Sequence, residues 1–214
     1  MPIYFQSSPG SVRLTGEMAD LSAQRPPRER ILDTAYELFS RNGIGAVGVD
    51  RIVAESSVAK MTLYRHFPSK TELALAFLEL REQRWTRDWL QREVYRLAAT
   101  PRDRLLVIFD LFDGWFHRPD YEGCSFINTL LEMPGSDPLH EAAAHHLAVI
   151  RDFIEDLARQ AGVEHPREVA LQLQLLMIGA IVSAGRGDVD AARRARDTGE
   201  LILDQDTASA ARSA

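Results

Sequence analysis

Apolar side chains recur three and four positions apart between residues 28 and 42 (Ile31, Leu32, Ala35, Leu38, Phe39), the period that lays one stripe along an α-helix. Asn42-Gly43 supplies a left-handed stop, so the pattern predicts a first helix of about four turns. After a short loop, Gly48 is an acceptable N-cap for a second helix over 49–56, with Ile52 and Val53 inward and Asp50 near its positive end. Residues 57–59 leave room only for a tight turn. A third helix of about two turns follows over 60–67 and stops at Pro68. Two short helices joined by so tight a turn make a helix-turn-helix. Ser69-Lys70-Thr71-Glu72 is then a capping box opening a fourth helix.

The helical period continues through the rest of the chain. It runs over 73–99 with a heavily charged outer face until Thr100-Pro101 breaks it, and over 102–117 with Leu105, Ile108, Phe109, Phe112 and Phe116 in one stripe. Further helices are predicted over 124–132, 138–160, 166–185 and 188–204, and no strand pattern competes. The expected fold class is all-α. A three-helix helix-turn-helix domain over 25–72 precedes a helical bundle over 73–206, and residues 1–24 and 207–214 read as disordered tails. Met18 offers an alternative start, with residues 1–17 foreign to the native protein. The longest apolar run, 175–185, is shorter than the roughly 18 residues that mark a membrane span. A soluble, cytoplasmic protein without a membrane partner is expected, and the single cysteine, Cys124, fits a reducing compartment.

Charge sharpens the division between head and body. The chain carries −6 overall, yet residues 25–70 hold eight cations against five carboxylates, net +3, which leaves −9 for the remainder. A basic block on an acidic body is the distribution of a DNA-binding head joined to a domain that does not touch DNA. Within the third helix only Leu63 and Phe67 share a face with Val58 that can lock it onto the first two helices. Lys60, Met61, Thr62, Tyr64, Arg65 and His66 are left for solvent or DNA. They offer a cation for phosphate, hydroxyls for phosphate or base edges, and an apolar group for a thymine methyl. Lys70 adds a charge in the first turn of the next helix.

Through residues 28–73, and most clearly through T-L-Y-x-H-F-x-S-K-x-E-L from Thr62 to Leu73, the sequence resembles the TetR family of one-component bacterial transcription regulators. The resemblance implies that the third helix enters the major groove of a double-stranded operator. Tyr64, His66 and Lys70 would then hold phosphates, with Lys60, Met61, Thr62 and Arg65 near bases. Four positions depart from the usual pattern. Gly48 and Ala59 replace common capping hydroxyls, Ser57 the turn glycine, and Met61 a frequent glycine; these changes imply one lost phosphate contact and an altered operator preference.

In the body, Phe109, Phe112, Trp115, Phe116, Cys124, Phe126, Asn128 and Met177 mix aromatic, polar and adaptable side chains, a composition that suits a ligand pocket and suits plain core as well. The TetR resemblance, carried here by helical layout and the G-C-S-F-I-N segment at 123–128, implies a small-molecule effector. The resulting expectation is a ligand-responsive homodimeric repressor that leaves a palindromic operator when a largely apolar molecule binds beside the 102–117 helix. Val169, Leu173, Leu175, Leu176, Ile178, Ile181 and Val182, with Ala191, Ala195, Leu201 and Ile202, would form the dimer surface on the last two long helices. Competing readings are a helical scaffold whose head binds protein, and an all-α enzyme, although no phosphate loop, nucleophile elbow or dinucleotide fingerprint is present. Neither metal nor cofactor is expected. Glu141 and His145 have helical spacing for a shared metal, but no further ligand completes a site; with His140 and His146 they default to solvated or pocket-lining groups. Cys124 reads as a small buried apolar residue, with redox sensing as the alternative.

Overall fold

A computed structural model describes residues 25–213, with side chains described through Asp206. Residues 1–24, and with them the expected N-terminal tail and alternative start, lie outside the described residues. Three helices build the head: α1 (Pro27–Asn42), α2 (Val49–Ser56) and α3 (Lys60–His66). Ile31, Ala35, Leu38 and Phe39 of α1 close over Ile52, Leu63 and Phe67, all of them buried. Gly43 ends α1 at φ 81, its N–H donating to Phe39 O. Ser57 makes the α2–α3 turn at φ 54, a conformation that glycine adopts more readily.

The head passes into one long helical run with three stretches. These are α4 (Lys70–Arg81), a π-helical stretch over Glu82–Gln91, and α5 (Arg92–Leu97). Ser69 Oγ accepts from Glu72 N–H at 3.0 Å, the predicted cap. The charge pattern over 73–99 predicts one regular helix; the π-helical stretch is what it missed. Arg87 Nε donates to Glu82 at 2.6 Å and Gln83 Nε2 to Asp88 at 2.8 Å, both five residues apart, a spacing that an α-helix turns away from itself and the wider π turn brings together.

The body consists of α6 (Pro101–Phe116), α7 (Ser125–Glu132), α8 (Pro138–Gln160), α9 (Pro166–Gly185) and α10 (Ala191–Ser213). Proline follows a capping residue at the start of α6 and α8, where Thr100 and Asp137 accept from Asp103 and Leu139 N–H. Helices α6, α8, α9 and α10 pack around one core, and α7 lies on α8. Gly199 lets α10 approach closely: a Cβ there would stand 3.1 Å from Leu173 and 3.3 Å from Phe109. The helix continues to Ser213, so residues 207–213 belong to α10 and do not begin the expected tail. By length and composition α9 is apolar enough to cross a membrane, unlike the shorter run read from sequence, although 39% of its apolar window is buried against the bundle.

Candidate functional site

The third helix presents its chemistry as the apolar spacing requires. Leu63 is wholly buried and Phe67 nearly so, while Lys60, Met61, Tyr64 and Arg65 are exposed and Thr62 and His66 half-buried. Met61, 77% exposed, is the most exposed large apolar side chain of the head. Arg28 lies over the Phe67 ring at 5.1 Å and braces the end of α3. Neither Gly48 nor Ala59 provides a side-chain cap, so the first-turn N–H groups of α2 and α3 are not covered by a hydroxyl.

Two of the expected DNA contacts are engaged within the chain. Lys60 Nζ donates to Asp50 Oδ1 at 2.7 Å, which raises the Lys60 pKa through that hydrogen bond and its charge. Lys70 Nζ reaches Gly45 O at 3.4 Å. Gly45 also donates its N–H to Glu132 Oε1 at 3.0 Å. One loop glycine thus joins Lys70 to the last residue of α7 in the body. A second bridge, Arg41 to Glu122 at 3.3 Å, ties the end of α1 to the loop before α7.

In the body the structure separates the expected pocket residues into groups. Phe112, Trp115 and Phe116 of α6 form a continuous ring cluster with Trp85, Trp89 and Tyr121, the centroids of neighbouring rings 5.0–6.4 Å apart. Tyr121 Oη donates to Ile181 O at 2.7 Å, and burial drives its pKa upward. Phe126 leaves that cluster to stack on His146 at 5.0 Å. Phe109 packs toward Leu173 and Gly199 as core, and Met177 is buried on α9. Asn128 is a correction: it is exposed, facing out of the helix beside Gly123. Cys124 is buried and its thiol pKa is pushed up by that burial, which opposes thiolate formation.

The histidine reading also changes. His146 pairs spatially with Glu82 on the π-helical stretch, at 3.9 Å. Among the described residues no group of three or more His, Cys, Asp or Glu could hold a metal ion. Burial lowers the His146 pKa, the nearby Glu82 opposing that effect. Sequence reasoning missed Glu82, Thr86, Trp85 and Trp89 because they lie in a heavily charged stretch of the chain. The available signal was the pair of tryptophans four residues apart inside that stretch.

The surface of the last two long helices is narrower than expected. Leu171, Leu175 and Val182 of α9 and Leu201 of α10 are exposed, with nothing within 4 Å of a Cβ at Gly179 between them. Val169, Leu173, Ile181, Ala191 and Ala195 face inward instead, since they close the body's own core.

Comparison with known proteins agrees with this geometry. A family model described as bacterial regulatory proteins, tetR family, matches residues 31–77. The HTH-type transcriptional regulator YjdC of Escherichia coli is 27% identical over 176 residues, covering 78% of this chain and 90% of YjdC. QacR of Staphylococcus aureus, another HTH-type transcriptional regulator, is 36% identical over 84 residues, 39% of this chain and 44% of its own length. A crystal structure of a TetR-family transcriptional regulator from Streptomyces coelicolor superposes with a TM-score of 0.77 at 27% identity, covering 84% of this chain and 95% of that one.

Proposed function

The chain belongs to the TetR family and is a DNA-binding transcriptional regulator, and from that premise we propose that it is a cytoplasmic homodimeric repressor released from a palindromic operator by a small, largely apolar effector. Thr62 and Arg65 read base edges, with Lys60 and Met61 beside them, and Tyr64, His66 and Lys70 hold phosphates. The exposed side chains of α3 and the basic balance of the head support that division. One short recognition helix covers too little DNA to be selective alone, so two copies join through Leu171, Leu175, Val182 and Leu201 and present their third helices about 34 Å apart.

The observation that carries the regulatory half is the Glu132–Gly45 hydrogen bond. The effector enters among Phe112, Trp115, Phe116 and the rings of the π-helical stretch, next to α7. Displacing α7 moves Glu132, hence the loop that holds Lys70 and leads into α2. Tilting the long 70–97 helix in the same step changes the spacing of the two recognition helices. The effector acts by preferring the non-binding arrangement; with equal affinity for both it would change nothing.

The test is to select genomic DNA fragments with the purified protein and then screen metabolites and drugs for release from the best fragment. The expected result is salt-sensitive operator binding and at least one compound that both raises the melting temperature and releases DNA. Operator binding with no such compound would leave a regulator without a sensing role, and no selective fragment would reject the DNA face.

A further inference from the structure

Glu82 and Thr86, four residues apart on the π-helical stretch, are buried polar residues, and buried His146 of α8 faces Glu82. Glu82 Oε1 accepts from Arg87 Nε, while Glu82 Oε2 lies 3.9 Å from His146 Nδ1, too far for a hydrogen bond. Thr86 Oγ1 and His146 Nδ1 are both buried with no hydrogen-bond partner. Dehydration of such an atom without a partner is destabilising. Thr86 lies within the π-helical stretch, an irregularity that concentrates at functional sites, and His146 faces Glu82 of that stretch from α8. Apolar rings adjoin them: Phe126 lies on His146, and Trp85 and Trp89 flank Thr86 in the chain and belong to the aromatic cluster.

Charge accounting narrows what fits. Glu82 is already matched by Arg87, whose guanidinium reaches solvent, and burial pushes the His146 pKa down, disfavouring its cation. A cationic head would therefore add an unbalanced charge to a closed, neutral group. A carboxylate would meet Glu82 directly. An uncharged group that both donates and accepts satisfies the orphaned atoms without adding charge.

We propose that Glu82, Thr86 and His146 are a polar subsite for an uncharged hydroxyl, that of an alcohol or phenol, carried on the apolar body of the effector. The hydroxyl donates to Glu82 Oε2 and accepts from Thr86 or His146. This rests on the effector reading above and specifies its chemistry.

All three tryptophans of the chain, Trp85, Trp89 and Trp115, lie in the ring cluster, so intrinsic fluorescence reports this region. The probes are 1-octanol, octyl methyl ether and octylammonium, titrated into the full chain with and without its operator fragment. Octanol is expected to bind about tenfold more tightly than the other two. Thr86→Val and His146→Phe should each bring octanol toward the ether while leaving the ether unchanged. In the ligand-free protein Thr86→Val should raise the melting temperature by about 2–4 °C, because it removes an unpaired hydroxyl; a hydroxyl kept for folding would give a fall. Equal binding of octanol and ether, tightest binding of octylammonium, or a lowered melting temperature for Thr86→Val overturns the subsite. If octanol and ether bind equally and both release the operator, the effector pocket stands and only the subsite fails. A clear octanol preference without operator release supports the subsite and defeats the regulatory reading. No fluorescence change with any of the three overturns both.

Discussion

In the head, the side chains with useful chemistry stand outside a small apolar core; in the body they lie inside a large one. Lys60, Tyr64 and Arg65 face solvent around buried Leu63 and Phe67, so water satisfies them until DNA replaces it. Thr86 Oγ1 and His146 Nδ1 have no such reserve, being buried without a hydrogen-bond partner. An exposed polar group can be exchanged at little cost to the fold, whereas a buried unpaired one destabilises by about 1–3 kcal/mol until something fills it. Specificity for DNA therefore separates from stability, and specificity for an effector is coupled to it. Glu132 and Gly45 join the two regimes at one hydrogen bond.

The most severe way to break the comparison is to remove the proposed dimer. Leu175, 70% exposed at the centre of the outer face of α9, should become intolerant of charge if a second copy covers it. Leu175→Arg is expected to give a folded monomer by sedimentation, with the circular dichroism of the parent. Operator affinity should fall by about 10²–10⁴, the advantage of tethering two half-site contacts. A dimer that survives this substitution would place the interface elsewhere.

Substitutions confined to the head come next. Thr62→Ala and Arg65→Ala should each cost about 1–3 kcal/mol on the matched operator and flatten the preference over a scrambled one. Lys70→Ala, Tyr64→Phe and His66→Ala should weaken both sequences alike, and Lys70→Ala should lower the salt slope by about one ion. None should lower the melting temperature by more than a few degrees. Filter or fluorescence-anisotropy titrations at several salt concentrations check all five; uniform, parent-like binding would reject the assigned face.

This contrast also explains what could be read from the chain. The head was legible because it is local: Leu63, Phe67 and the residues between them fall within one short helix and its C-cap, and a single periodicity sorts them. The body's helices were legible for the same reason, and Phe112, Trp115 and Phe116 share one stripe. Their partners were not, because Trp85 and Trp89 arrive from a charged stretch and His146 from α8, joined only by tertiary packing. Asn128 shows the limit in reverse. It follows pocket-like residues in sequence, yet one step along a helix turns a side chain by about 100°, enough to carry it to the surface.

A smaller effect should follow at the junction. A Cβ at position 45 would overlap Glu132 Oε1, the movable end of a flexible side chain, so Gly45→Ala expels the carboxylate without straining the backbone. The expected loss of stability is about 1 kcal/mol. Operator affinity without ligand should change by no more than about twofold, while ligand-driven release weakens about fivefold, the lower range of allosteric coupling. Glu132→Gln, which keeps an acceptor, should retain most of the response. Unchanged release by Gly45→Ala would assign the coupling to the long 70–97 helix alone.

The smallest predicted effect tests the interior itself through pH. Burial lowers the His146 pKa below its ordinary 6.5, against the pull of Glu82 and Glu79 and with help from His145 and Arg87. Between the lowered folded value and 6.5 the unfolded chain binds the extra proton, so stability rises with pH there. This contribution is fully present above 6.5 and is lost as pH falls through that value toward the folded one. Burial instead raises the pKa values of Glu37, Asp110 and Glu122, so their contributions have the opposite slope at lower pH and obscure the histidine in the parent alone. The difference between parent and His146→Phe removes them. Urea midpoints from about pH 8 to about pH 5 should show the parent losing stability relative to His146→Phe as the medium is acidified. Parallel curves would mean that His146 accepts a proton as easily when folded as when unfolded, so that burial in the body does not govern its charge.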